Sequence, residues 1–202
     1  MPIGADFKRS KDDRRNKAKS SFWDFAGRRT VDRNATATPA RPVFGVPIQE
    51  AVEIARVKDD SDLPAVVFRC VQYLSSVKAE REEGIYRMSD GDVDLTTEYF
   101  DPHAVAGLLK QFFRELPVHI FTAELNHDFI RANEIEDQRK KIKEVTRLVQ
   151  QLPVANYSAL RFLSAHLVNI IKCEHLNKMG VKNMGIVFSP TLAIPASESV
   201  VC

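Results

Sequence analysis

The chain has 202 residues, 44% hydrophobic and 28% charged, which is enough apolar material for one well-packed domain with a tail. Its 29 basic and 27 acidic residues leave a formal net charge of +2, which excludes a polycation of the kind that coats nucleic acid. The cysteines, Cys70, Cys173 and Cys202, match neither a disulfide framework nor the paired spacing of a zinc site and fit a reducing cytosol.

Residues 1–41 are rich in Lys, Arg, Asp, Ser, Thr and Asn and poor in aliphatics, so they read as a disordered basic arm. The charged start lacks a secretory h-region, and Pro2 after Met1 excludes myristoylation. Within residues 8–33, Phe22, Trp23 and Phe25 lie between Lys17, Lys19 and the pair Arg28, Arg29. That interleaving suits an anionic membrane surface or a partner, although a plain linker is the first reading of such a composition.

Residues 42–202 then follow a helical period. Pro47 suits a first helical position, with Ile48, Ala51, Val52 and Ala55 forming one apolar stripe behind it. A second helix is expected from Pro64, with Val66, Val67, Cys70, Val71, Leu74 and Val77 inward, and Gly84 marks a break into an exposed loop. A third runs from Pro102 to Leu116, with Val105, Leu108, Leu109, Phe112 and Phe113 apolar and Pro117 as the stop. A fourth begins after Thr122 and carries Leu125 and Phe129. The next two span Arg139 to Leu152, with Ile142, Val145, Leu148 and Val149 inward, and Tyr157 to Cys173, with Asn156 as N-cap. Lys178 to Phe188 closes the series at Ser189-Pro190. No stretch alternates as a strand does, so the class is all-α.

The chain has no Gly-Lys-Ser/Thr phosphate loop, no G-x-G-x-x-G, no G-x-S-x-G and no H-E-x-x-H, so it does not look built to bind its own nucleotide or a catalytic metal. His103 and His166 fall on helices, where a histidine is more often a structural hydrogen-bonder than a catalyst.

Three ordered blocks carry a resemblance. The first is Glu83-Gly84-Ile85-Tyr86-Arg87-Met88-Ser89, and the second runs from Ala106 through Lys110, Phe112, Phe113 and Arg114 to Pro117. The third joins Asn177-Lys178-Met179 to Asn183-Met184-Gly185-Ile186-Val187-Phe188-Ser189-Pro190-Thr191-Leu192. Together they resemble the Rho GTPase-activating (RhoGAP) domain family over about Pro42 to Pro195, with wording such as Phe44-Gly45-Val46-Pro47 similar to fungal members. The resemblance implies a shortened RhoGAP-like helical bundle that stimulates GTP hydrolysis by a GTP-state Rho-family small GTPase. It implies a regulator without an active site of its own, needing no cofactor beyond the GTP and Mg²⁺ of its partner. Arg87 matches the arginine finger. Arg114 is expected to brace the finger loop, Lys110 to face the GTPase, and Asn183 to contact the GTPase near its switch regions or to make a helix-terminal hydrogen bond. A catalytically weak binding module is the alternative. A cytoplasmic domain, peripheral to the plasma membrane if the arm binds lipid, fits this picture.

The chain also departs from the family. Ser89-Asp90 runs directly into Gly91-Asp92-Val93-Asp94, leaving out about one helix of a dozen residues or slightly more, and the chain stops at Cys202, so the domain reads as incomplete. Loss of that helix is expected to uncover the stripes carrying Val67, Val71 and Leu109.

Overall fold

The computed structural model describes residues 42–57, 61–87 and 100–194. The basic arm, with the membrane-binding stretch expected at 8–33, the link expected to lack a helix and the C-terminal residues fall outside them. The described residues contain eight α-helices, one 3₁₀ turn and no strand, an all-α fold as the periodicity predicts.

Proline stands at the N-cap of three of the helices. α1 (Ile48–Ile54), α2 (Ala65–Ser76) and α6 (Val154–Lys172) follow Pro47, Pro64 and Pro153, each at the N-cap with an extended ψ of 144°, 132° and 150°. Pro47 therefore stands one place before its expected position, where its fixed φ sets the entry of the chain and its missing N–H costs nothing. The turn between α1 and α2 is closed by the Ala65 N–H donating to the Ala55 carbonyl at 3.0 Å. α3 (Pro102–Arg114) has Asp101 as N-cap, its carboxylate accepting from the His103 N–H, and Pro102 at the first helical position. α4 (Thr122–Asn133) and α5 (Gln138–Val149) follow, then α6, the four-residue α7 (Glu174–Asn177) and α8 (Val181–Thr191).

α2 packs against both α3 and α6, α8 rests on the same two helices, and α1 packs against α6. Val52, Leu74, Leu109, Phe112, Phe113, Leu163 and Ile170 are fully buried there, each contributing about 1.5–3 kcal/mol. Cys70 lies among them, as its stripe predicts, and burial pushes its thiol up to about 12. It is a small hydrophobe at neutral pH. Val67, Val71 and Leu109, expected to be uncovered, are buried, because the mutual packing of α2, α3 and α6 closes over them.

Three helical expectations shift. α6 begins at Val154 rather than Tyr157, so Asn156 is no N-cap: it is buried at the third position of the helix, where its Nδ2 donates to the Ile120 carbonyl at 2.8 Å. In α5 only Leu148 is buried and Ile142 is 58% exposed, since α5 packs chiefly against α4 and a single neighbour covers a narrow stripe. α8 starts at Val181, after Lys178 turns left-handed at φ 61°, and continues through Pro190 to Thr191. A proline in the last turn forfeits one intrahelical bond, and the Leu192 N–H restores the ladder by donating to the Phe188 carbonyl at 2.8 Å.

Candidate functional site

Beyond α2 the chain enters a short 3₁₀ turn, Ala79–Arg81, and then reaches Gly84, whose φ of +69° is a left-handed conformation that a side chain would strain. The Arg87 N–H donates back to the Gly84 carbonyl at 2.8 Å, closing a four-residue turn through Ile85 and Tyr86. Ile85 and Tyr86 are buried while Arg87 is exposed. The backbone of the arginine is thereby tied to the core and its side chain directed to solvent. Tyr86 has φ 70°, at a turn position that ordinarily takes glycine or asparagine.

The sequence-distant partners of this turn are polar and buried. Lys110 on α3 is 4% exposed and its Nζ donates to the Tyr86 carbonyl at 2.9 Å. Asn177, wholly buried at the end of α7, accepts from the Gly84 N–H through its backbone carbonyl at 2.8 Å. Its side-chain Nδ2 donates to the carbonyls of Glu80 and Ile170, and its Oδ1 accepts from the Met179 N–H, each at 2.7 Å. The Tyr86 ring meets Phe188 of α8 edge-on at 5.1 Å, and its hydroxyl shares a 2.8 Å hydrogen bond with His166 Nε2 of α6. Each of these groups, buried without a partner, would cost about 1–3 kcal/mol, so the network stabilises only when complete.

Burial also sets the charge states. It lowers His166 to about 4, keeping the imidazole neutral at pH 7, and raises the Tyr86 phenol well above its ordinary value. The site therefore presents the exposed guanidinium of Arg87 outside and a neutral Tyr86–His166 pair beneath.

The residues singled out in the sequence divide accordingly. Arg87 is on the turn and exposed. Lys110, expected to face a GTPase, is turned inward, where its long stem carries the ammonium to the Tyr86 carbonyl. Arg114, expected to be the brace, is exposed one helical turn further along α3. Asn183, exposed in the first turn of α8, donates through Nδ2 to the Lys178 carbonyl at 2.8 Å, a helix-terminal hydrogen bond. Lys178 adjoins Asn177, so this end of α8 and the Arg87 turn share one anchor. Asn177, Tyr86 and His166 carry the architecture without having been assigned a part in the site. Asn177 opens the Asn177-Lys178-Met179 block, and that block was the available signal.

The RhoGAP domain profile matches residues 88–197, a span that opens one residue past Arg87. A probable Rho-type GTPase-activating protein 2 of Schizosaccharomyces pombe is 39% identical over 171 residues, covering 76% of this chain and 13% of its own length. The Rho GTPase-activating protein gacJJ of Dictyostelium discoideum is 38% identical over 174 residues, covering 79% and 19%. This chain thus spans a fifth or less of these two relatives. Shares of 76% and 79% of 202 residues are about 154 and 160, so the two alignments hold about 17 and 14 positions that this chain lacks. That deficit is of the size of the helix that the resemblance leads one to expect between Ser89 and Gly91. Among solved structures, human Rho GTPase activating protein 15 superposes with a TM-score of 0.67 at 29% identity, over 76% of this chain and 78% of that one. With an all-helical fold, the three sequence blocks gathered at one end, and relatives that align over three quarters of its length, the chain belongs to the RhoGAP domain family.

Proposed function

We propose that this domain stimulates GTP hydrolysis by a Rho-family small GTPase in its GTP state, with Arg87 entering the partner's active site as an arginine finger. The observation that carries this reading is the turn itself: an exposed arginine on a turn held by Lys110 of α3, His166 of α6, Asn177 of α7 and Phe188 of α8. Hydrolysis of GTP builds negative charge on the transferring and leaving oxygens, and a planar, permanently charged guanidinium supplied in trans stabilises that charge where lysine is a poorer match. A finger contributes ~10³–10⁵ in rate, or about 4–7 kcal/mol of barrier. The domain is a regulator in this reading. GTP and Mg²⁺ belong to the partner, and Lys110, Arg114 and Asn183 hold the turn or meet the GTPase. A cytoplasmic location, with residues 8–33 touching an anionic membrane, accompanies it.

Single-turnover GTP hydrolysis by a panel of Rho-family GTPases, with the parent chain and Arg87→Ala, tests the proposal. The expected outcome is acceleration by the parent, its loss by ~10³-fold or more in the variant, and unchanged affinity, because the finger acts mainly in the transition state. Binding without acceleration by the parent would favour the alternative of a GTPase-binding module.

A further inference from the structure

Immediately before Arg87 stands a tyrosine in a left-handed conformation, φ 70°. For a bulky residue this conformation costs energy and persists only where the surroundings over-determine it. Three separate parts of Tyr86 are held from three directions. Lys110 of α3 donates to its carbonyl at 2.9 Å, His166 of α6 meets its hydroxyl at 2.8 Å, and Phe188 of α8 meets its ring at 5.1 Å. With both ends of the residue fixed, the peptide that leads into Arg87 has one orientation.

Resting on the activator reading above, we propose that Tyr86 is a positioning residue for Arg87, and that His166, through the Tyr86 hydroxyl, sets the direction in which the arginine leaves the domain surface. A packing role alone needs only the ring, at an ordinary φ, and gives the hydroxyl nothing to do. Here the hydroxyl is buried with its residue and is bonded to a histidine eighty residues away in sequence. His166 is itself 5% exposed and neutral at pH 7, so it offers a hydrogen-bonding nitrogen without placing a second charge beneath the arginine. Displacement by about 1 Å costs ~10²-fold in a reaction that depends on alignment, so a fraction of that shift is enough to be measured. Neither residue touches the GTPase in this scheme. Both act through Arg87.

The test uses the full chain and the variants Tyr86→Phe, His166→Leu and His166→Gln, with three readouts. These are amide hydrogen exchange at Gly84 and Arg87, affinity for a Rho-family GTPase loaded with a non-hydrolysable GTP analogue, and the single-turnover rate at saturating domain. Tyr86→Phe keeps the ring and loses the hydroxyl. The expected result is faster exchange at the Arg87 amide, unchanged affinity and a rate lower by about tenfold. His166→Gln, which retains a partner for the hydroxyl, should recover more of the rate than His166→Leu. A Tyr86→Phe variant with the parent's exchange or the parent's rate overturns the proposal, as does a loss that falls on affinity instead of rate. A parent that accelerates no GTPase overturns the activator reading and leaves the positioning of Arg87 by Tyr86 to the exchange readout. That case is distinguishable because the exchange at Arg87 still responds to Tyr86→Phe.

Discussion

The Arg87 turn and the α4–α5 hairpin use polar residues in opposite ways. At the turn, Lys110, Asn177, His166 and the Tyr86 hydroxyl are buried, and each is bonded to a group far away in sequence. In the hairpin the cations face water. Arg131, Lys140, Lys143 and Arg147 line an open cleft with Asp128 and Glu144, and the ion pairs are local, Arg147 with Glu144 at 2.6 Å and Arg131 with Asp128 at 3.9 Å. Solvated pairs of this sort tolerate rearrangement, since each partner can exchange the other for water. Buried ones do not, because the alternative is an unpartnered group in a dry interior. The fold has placed its costly polar groups where a backbone direction matters and its cheap ones where it does not.

The largest expected effect that tests this contrast is at Asn177. Asn177→Ala removes three side-chain hydrogen bonds, leaving the buried Met179 N–H and the Glu80 carbonyl without those partners. Urea unfolding is expected to report a loss of about 3–4 kcal/mol. A loss below about 1 kcal/mol would mean that water enters readily, and the distinction between dry and wet polar groups would break.

Acid should separate the two regions next. Burial lowers His166 from 6.5 to about 4, so the unfolded chain binds its proton first. The stability due to the neutral imidazole is then complete above pH 6.5 and is lost as pH falls from there toward 4, on the order of 3 kcal/mol in all. Glu124 and Glu144 are lowered from 4.5, first by a backbone hydrogen bond and by the Arg147 hydrogen bond respectively, so their contributions vanish only below that range. Unfolding free energy measured between pH 7 and 4.5 should slope downward in the parent and flatten in His166→Gln. An unchanged slope would assign the acid sensitivity elsewhere.

Between Lys110 and Arg114 the contrast becomes a comparison of neighbours on one helix. Lys110→Ala is expected to cost about 2 kcal/mol, by stranding the Tyr86 carbonyl, and to lower single-turnover rate. Arg114→Ala, at an exposed position, should affect stability less. A larger loss in Arg114→Ala than in Lys110→Ala would favour the expectation drawn from resemblance, in which Arg114 braces the turn.

The inward course of Lys110 marks one limit of what could be read from the sequence. Seven of the eight described helices and most inward faces follow from period, the four-residue α7 being too short to show one, and Val66, Val67, Cys70, Val71 and Leu74 are buried as their spacing requires. The left-handed Gly84 follows from residue type. Lys110 did not, because four-residue spacing places it beside Arg114 on one helix and says nothing about which long stem bends inward. Asn156 and Asn177 were opaque for a related reason: an asparagine's partners are carbonyls, present at every position, so only the fold reveals which ones it meets. Ile142 misled because period marks an apolar stripe even where no second helix arrives to cover it.

The smallest expected effect lies in the hairpin and checks the other half of the contrast. Asp137 caps α5, its Oδ1 accepting from the N–H groups of Arg139 and Lys140 at 2.9 and 3.0 Å. Asp137→Ala removes that acceptor at an exposed helix end, where water can replace it, so the cost should be about 1 kcal/mol. Since α5 packs chiefly against α4, loosening its first turn has no short mechanical route to Gly84 or Arg87. GTPase stimulation and amide exchange at the Arg87 turn should therefore match the parent while the midpoint of urea unfolding falls slightly. A change in rate without a change in affinity would reveal coupling between the hairpin and the turn, and would require the dry network at Tyr86 to extend through Asn156 and the Ile120 carbonyl into α4.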